Sequence, residues 1–205
     1  MLPDASPLFE TAPSGGDGVV LAVVGPSGAG KDSLIAYARQ RLASDPLILF
    51  VRRMVTREAV ASAEDHDTCS PEAFASARAA GAFAVDWEAH GLHYGIPVAV
   101  HGHLQKGGIV VVNGSRAALP AMRSVFRRVI AVHITCHPEI LAARLASRRR
   151  ETAHDVQLRL QRASLKPADL GDMIEIDNSG ELAVAGEALT AAIRRAASLA
   201  RYRRG

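Results

Sequence analysis

Apolar residues along the chain follow two rhythms. Unbroken apolar runs bounded by Gly, Pro or charged residues predict strands over Val19 to Val24, Leu47 to Val51, Ala82 to Val85, Ile109 to Val112, Val129 to Thr135 and Met173 to Ile176. Apolar positions three and four apart predict helices over Ser33 to Leu42, Pro71 to Ala80, Pro97 to Lys106, Arg116 to Val125, Pro138 to Arg148, His154 to Ala163 and Glu181 to Tyr202. This alternation predicts an α/β fold: a mainly parallel central sheet covered by helices on both faces, a three-layer sandwich. Ligands of such sheets bind beyond the carboxyl ends of the strands.

A length of 205 residues with 48% hydrophobic content suits one domain, expected over residues 19–205. Residues 1–18 carry Pro3, Pro7, Pro13, Ser14, Gly15, Gly16 and Gly18 without apolar periodicity, and are expected to form a flexible leader. No segment has the length and apolarity of a membrane span. Cys69 and Cys136 are too few for a disulfide framework or a cysteine-built zinc site, which fits a cytoplasmic protein.

Candidate chemistry begins at the first strand. It runs directly into G-P-S-G-A-G-K at Gly25, Pro26, Ser27, Gly28, Ala29, Gly30 and Lys31, and a helix pattern starts at once. The spacing is that of a phosphate-binding P-loop. Glycines let successive backbone N–H groups turn around an anion, the lysine reaches the β- and γ-phosphates, and the helix adds the positive end of its dipole. A glycine turn that binds nothing would not need that strand and helix on either side. The position after the lysine, usually Ser or Thr with its hydroxyl on Mg²⁺, is Asp32, followed by Ser33. Either residue is a candidate magnesium ligand; the alternative for Asp32 is a purely local role at the helix start.

Charge refines the picture only slightly. There are 24 basic and 21 acidic residues, a net +3, and the only lysines are Lys31, Lys106 and Lys166, so the basic character is arginine. Arginine's planar fork suits phosphate held at two points. Arg194, Arg195, Arg201, Arg203 and Arg204 form a basic tail, but aromatics that stack on bases make up only 4% of the chain, so the tail is read as a solvated helix end and no nucleic-acid partner is expected. His90, His93, His101 and His103 are close in sequence. H-G-L-H-Y-G reads as a turn and H-G-H puts its histidines on different helix faces, so zinc is not expected.

The P-loop, together with M-V-T-R at Met54 to Arg57, S-P-E-A-F at Ser70 to Phe74, W-E-A-H-G-L-H-Y-G at Trp87 to Gly95, R-x-R-E at Arg148 to Glu151 and R-L at Arg159 to Leu160, resembles the guanylate kinase family in order and spacing. The resemblance implies a P-loop nucleoside-monophosphate-kinase-like fold with an acceptor-binding insertion at about 52–96 and a lid at about 148–154. It implies that Arg57 and Tyr94 grip the acceptor phosphate, that Arg148, Arg150 and Arg159 serve the transferring phosphoryl group and its donor, and that His66 stands near an acceptor-phosphate contact. Three positions that read guanine in that family fall on Val85, Ile96 and Val111. Unpaired base edges in a dry pocket cost roughly 1 to 3 kcal/mol per group, so an acceptor with phosphate but no purine fits better.

The sequence also resembles a narrower family, the ribose 1,5-bisphosphate phosphokinases of bacterial phosphonate breakdown, through G-P-S-G-A-G-K-D-S, R-R-M-V-T-R, H-G-L-H-Y-G, V-V-N-G-S-R and I-D-N-S-G. That resemblance implies transfer of phosphate from ATP, with Mg²⁺, to the 1-phosphate of ribose 1,5-bisphosphate. Catalysis then asks for alignment and charge neutralisation rather than a general base. Lys31 serves the ATP phosphates. Arg52, Arg53, Arg57, His66, Tyr94 and Arg116 are candidates for the two anionic ends of the acceptor, with Asn113 and Ser115 for its hydroxyls or for a turn. The expected partner is a small sugar phosphate, neither nucleic acid nor membrane, with homodimer formation left open. The competing readings are a nucleoside monophosphate kinase with an altered base pocket and a binding module without catalysis; the intact P-loop weighs against the latter.

Overall fold

The computed structural model describes residues 18–56, 66–89, 91–147 and 173–202. Its elements are β1 (Val19–Val24), α1 (Lys31–Leu42), β2 (Ile48–Phe50), β3 (Arg53–Val55), β4 (His66–Thr68), α2 (Pro71–Ala79), β5 (Phe83–Ala89), β6 (Leu92–Pro97), α3 (Val100–Gln105), β7 (Ile109–Asn113), a 3₁₀ turn at Arg116–Ala118, α4 (Leu119–Val125), β8 (Val129–Thr135), α5 (Pro138–Ser147), β9 (Met173–Asp177) and α6 (Leu182–Tyr202). Five strands form the main sheet in the order β2-β7-β1-β8-β9, and every neighbouring pair is parallel. A smaller sheet has the order β4-β3-β6-β5, parallel between β3 and β4 and antiparallel elsewhere.

Strand β1 lies between β7 and β8, and all six of its residues are buried. Its alternating side chains build two cores. Val19, Leu21 and Val23 pack with Leu34, Ile35 and Ala38 of α1 and Leu189 and Ile193 of α6. On the opposite face, Val20, Ala22 and Val24 share a core with Trp87, Ile96, Val100, Leu119 and Met122. The smaller sheet and α4 therefore cover one face, and the helix pair α1 and α6 the other. Among the described residues, no helix is long and apolar enough to cross a membrane.

The expected α/β architecture is present, with element bounds corrected in the middle of the chain. β3 and β4 have three residues each, too few to show a period. H-G-L-H-Y-G, expected as a turn, is one only in part: Gly91 is a turn residue with φ of 71°, and Leu92 to Gly95 are strand. Those last four residues belong to β6, whose hairpin partner β5 extends from Phe83 to Ala89, beyond the expected end at Val85. Polar Asp86 and Glu88 alternating with Val85 and Trp87 are the period-two signal of that longer strand. The helix expected from Pro97 starts only at Val100, because Pro97 closes β6 and the Val98 N–H donates to the Ala82 carbonyl at 2.9 Å. The helix expected from Arg116 is a 3₁₀ turn followed by α4, with Pro120 in the first helical turn. The helix expected over 154–163 lies outside the described residues.

Helices α1 and α6 meet where α6 has no side chain. A Cβ on Gly186 would sit 2.4 Å from Cδ1 of Tyr37, whose ring lies under the Arg41 guanidinium at 3.7 Å and whose hydroxyl donates to Glu187 at 2.9 Å. In an open helix, Gly to Ala gains about 1 kcal/mol. Here the ring must move, so Gly186→Ala is expected to destabilise the protein by about 1 to 3 kcal/mol in urea unfolding, the scale of overpacking. A more stable variant would show that the ring yields freely.

Candidate active site

Because β1 ends at Val24, its next residue leaves the sheet at the carboxyl edge. Gly25 and Gly30 have φ values of 148° and 88°, and Gly28 has 85°, a path that side-chain-bearing residues rarely take. A Cβ on Gly25 would stand 2.4 Å from the Ile134 carbonyl of β8, so the loop also passes closer to the sheet than any other residue allows. Gly30 is the N-cap of α1 and gives no side-chain cap; the first helical bond runs from the Leu34 N–H to its carbonyl at 3.0 Å. The helix's remaining amino-terminal N–H groups and its dipole thus face the loop. Lys31 curls over this turn, its ammonium donating to the carbonyls of Gly25 at 3.0 Å and Pro26 at 2.8 Å.

Asp32 lies half-buried in the first turn of α1 and accepts a hydrogen bond from Asn113 Nδ2 at the end of β7. The parallel neighbour of β1 thereby braces the helix that carries the lysine. Asn113, considered for the acceptor's hydroxyls, thus stands beside the P-loop helix. Ser33 is exposed one residue further on. Ser115 caps the 3₁₀ turn, its hydroxyl accepting from the Ala118 N–H at 3.2 Å. Ser27 and Ala29 shape the loop, Ala29 being fully buried and bonded through its N–H to the Pro26 carbonyl at 3.3 Å.

Several residues expected to grip the acceptor stand on the smaller sheet. Tyr94 stacks on Trp87, directly across the hairpin, with centroids 5.4 Å apart and planes at 10°, and the Arg53 guanidinium lies 5.3 Å from the Tyr94 centroid. Arg52 pairs with Asp67 at 2.8 Å on the exposed side. His66 is in β4, paired with Arg53 across the β3–β4 ladder. Thr56, buried, fixes the end of β3: its hydroxyl accepts the His93 N–H at 2.8 Å, and its own N–H donates to the His93 carbonyl at 3.0 Å. The chain is therefore anchored immediately before Arg57. Arg57 itself, and Arg148, Arg150 and Arg159, lie outside the described residues.

Val85 and Ile96 are a direct cross-strand pair, both buried in the core beneath the smaller sheet. Val111 is different. Strand alternation turns it into the opposite core with α1 and α6, so it does not share a pocket with the other two, and two apolar replacements rather than three line this side. The histidines have separate surroundings: His103 Nε2 lies 2.9 Å from the Leu47 carbonyl, the His93 ring stacks on Phe74, and the His101 ring is tilted against Phe126. His90 is outside the described residues.

Three groups escaped sequence reasoning. His133, inside the apolar run of β8, lies buried opposite Val24, with Nδ1 3.8 Å from Glu175 of β9. Arg144 of α5 donates to Cys136 Sγ at 3.5 Å and reaches toward Gly30. Asn178 bonds to the P-loop itself. His133 carried a signal as a titratable residue in a strand predicted to be buried, and Asn178 only as part of I-D-N-S-G, with no role attached.

Arg116, half-buried at the end of β7, has its pKa drawn down by burial. Burial is also the main force lowering the pKa of His133 below the usual value of about 6.5; the charges of Arg116 and Lys31 act in the same direction, and Glu175 opposes them. The folded protein thus holds His133 neutral, while the unfolded chain takes up a proton at about pH 6.5. Stability from this group is present above that pH and is lost as pH falls from about 6.5 toward the depressed value. The expected result is a melting temperature that drops on acidification from about pH 7.5 to 5.5, with a shallower drop in His133→Gln; equal slopes would show that His133 does not titrate differently in the two states.

Comparisons with known proteins agree with this geometry. A family profile described as an AAA domain matches residues 21–159. The ribose 1,5-bisphosphate phosphokinase PhnN of Agrobacterium fabrum is 45% identical over 178 residues, which cover 87% of this chain and 97% of that protein. Its namesake from Chelativorans sp. is 44% identical over 182 residues, 88% of this chain and 87% of that one. Among solved structures, guanylate kinase from Anaplasma phagocytophilum shares the fold with a TM-score of 0.63 at 17% identity, covering 88% of this chain and 87% of its own. A P-loop followed by a braced lysine helix, in a chain that matches such relatives over nearly their whole length, belongs to the ribose 1,5-bisphosphate phosphokinase family of P-loop kinases.

Proposed function

We propose that the protein transfers the γ-phosphoryl group of ATP to the 1-phosphate of ribose 1,5-bisphosphate, giving 5-phosphoribosyl 1-diphosphate and ADP. The observation that carries this reading is the formed P-loop with Lys31 poised over it, in a chain 45% identical to a phosphokinase of that name across 97% of its length. The reaction forms a bond between an oxygen of the 1-phosphate and the γ-phosphorus as the bond to the β,γ-bridging oxygen breaks. That nucleophile is ionised near neutral pH, so the residues' work is to align two anions and neutralise them.

Lys31 and the amino-terminal N–H groups of α1 bind the donor's phosphates. Tyr94, Arg53 and Arg116, with Arg57 and His66, hold the acceptor, and Arg148, Arg150 and Arg159 serve the transferring group and its donor. Val85 and Ile96 offer no hydrogen-bonding side chain to a purine edge. Asp32 and Ser33 are hard oxygen donors at the start of α1, a set that suits Mg²⁺, and they would hold the ion that neutralises the triphosphate when bound. We assign the enzyme to the cytoplasm, acting on a free sugar phosphate.

With ATP and Mg²⁺ present, ADP release is expected with ribose 1,5-bisphosphate and not with GMP, and phosphorus NMR should show a diphosphate on ribose C1. Turnover with GMP alone would favour a nucleoside monophosphate kinase, and silence with both a binding module. Asp32→Asn is expected to raise the Mg²⁺ concentration needed for half-maximal rate and for tight ATP binding by roughly tenfold or more, with the acceptor KM unchanged. An unchanged magnesium titration would remove Asp32 from the metal's surroundings.

A further inference from the structure

The segment I-D-N-S-G, which closes β9 and continues into the turn after it, has no part in the reaction as described so far. Asn178 in its middle is 2% exposed. Its backbone N–H donates to the Thr135 carbonyl at the end of β8 at 2.9 Å, and its side-chain Nδ2 donates to the Ala29 carbonyl inside the P-loop at 2.7 Å. The neighbours hold this turn still. Asp177 Oδ1 accepts the Ser179 N–H at 3.0 Å and the Ser179 hydroxyl at 2.5 Å, and Ser179 Oγ accepts the His137 N–H at 2.8 Å.

The fit between Asn178 and the loop is close on both sides. A Cβ on Gly30 would stand 2.4 Å from Asn178 Nδ2, so the amide fills the volume that glycine leaves open. The glycine is therefore needed both for its φ of 88° and for this approach. The other end of the amide gains nothing obvious: Asn178 Oδ1 is buried without a hydrogen-bond partner among the described residues. A buried amide that meets only part of its bonding capacity is a poor device for stability, since an unpaired acceptor carries a desolvation cost.

What the bond does control is the orientation of one peptide unit. In a planar trans peptide the C=O and the following N–H point in opposite directions. Tying the Ala29 carbonyl outward to Asn178 turns the Gly30 N–H inward, toward the space enclosed by the loop. We propose that Asn178 is a positioning residue of the P-loop, which sets the Gly30 N–H for the donor's triphosphate before the ligand arrives. The loop then spends less of its binding energy on ordering its own backbone. The anchor reaches beyond the loop as well, because the same residue is bonded through its backbone to β8, two residues after buried His133.

The test uses the full chain with inorganic triphosphate, ADP and ATP. Asn178→Asp keeps the shape of the side chain but cannot donate when ionised, and Asn178→Ala removes it. Both are expected to weaken binding of inorganic triphosphate in calorimetry by roughly five- to tenfold, the scale of one hydrogen bond, and to raise the ATP KM by a similar factor with the acceptor KM unchanged. Asp is expected to be at least as damaging as Ala, because it sets two acceptors against each other.

A purely structural role predicts the reverse order, with Asp mild, Ala lowering the melting temperature, and triphosphate affinity unaltered in both; that result overturns the proposal. Loss of ADP affinity without loss of triphosphate affinity also overturns it, since the residue would then act on the nucleoside. If Asn178→Ala does not fold, Asn178→Asp decides, with the amide proton exchange of Gly30 as a second readout: faster exchange and an altered shift are expected, and an unchanged Gly30 amide counts against the idea. Inorganic triphosphate contains no acceptor, so the outcome does not depend on whether ribose 1,5-bisphosphate is the substrate.

Discussion

A phosphate cradle made of backbone has to keep its N–H groups unpaired and pointing inward, a state that an ordinary loop would relax by bonding to itself or to water. The fold meets that constraint by driving the loop out of its most buried strand. β1 is flanked on both sides by parallel strands and is covered on both faces, so Gly25 starts from a fixed point and passes hard against the Ile134 carbonyl. At the other end, Gly30 opens α1, and Leu34, Ile35 and Ala38 clamp that helix to the sheet. The loop is stretched between two rigid elements, and its polar neighbours only refine it.

Those neighbours come from both sides of β1. From β7, Asn113 reaches Asp32; from the end of β9, Asn178 reaches Ala29. Each is the residue at or just after the carboxyl end of a parallel strand, the place where a doubly covered sheet presents side chains to a ligand. Cations gather along the same edge. Arg116 and Lys31 both act on buried His133 and, with burial, keep it neutral, so the edge carries positive charge without a further cation beneath it. A triphosphate and a bisphosphate together bring many negative charges into a small volume, and an arginine-rich edge answers that load.

The two faces divide the work. Lys31, Asp32, Asn113 and Asn178 gather around the P-loop, on the side of the sheet covered by α1 and α6. The other face is covered by the smaller sheet, where Arg53 lies over Tyr94 and Tyr94 over Trp87. Strand alternation alone produces this division, since successive residues of β1 and β7 point to opposite sides. It explains why Val111 lies in a different core from Val85 and Ile96, although the resemblance in sequence groups all three.

The sequence by itself determined the parts whose physics is local. A buried apolar run, three glycines at fixed spacing and a lysine at a helix start define the P-loop without any distant contact, and alternating strand and helix patterns define a parallel sheet covered on both faces. Ordered motifs from Met54 to Leu160 pointed to the kinase family, because their order records a shared fold. Tertiary structure decided what depends on residues far apart in the chain. The three-residue strands β3 and β4 exist only because a ladder is offered, β6 to β3 and β3 to β4, and Leu92 to Gly95 are strand because β5 lies beside them. Nothing near Asn178 in sequence indicates that its amide will fill the space above a glycine 148 positions earlier, and nothing near His133 indicates that two cations will face it. Those contacts arise when the parallel strands bring their carboxyl ends together, and a one-dimensional pattern does not contain that juxtaposition.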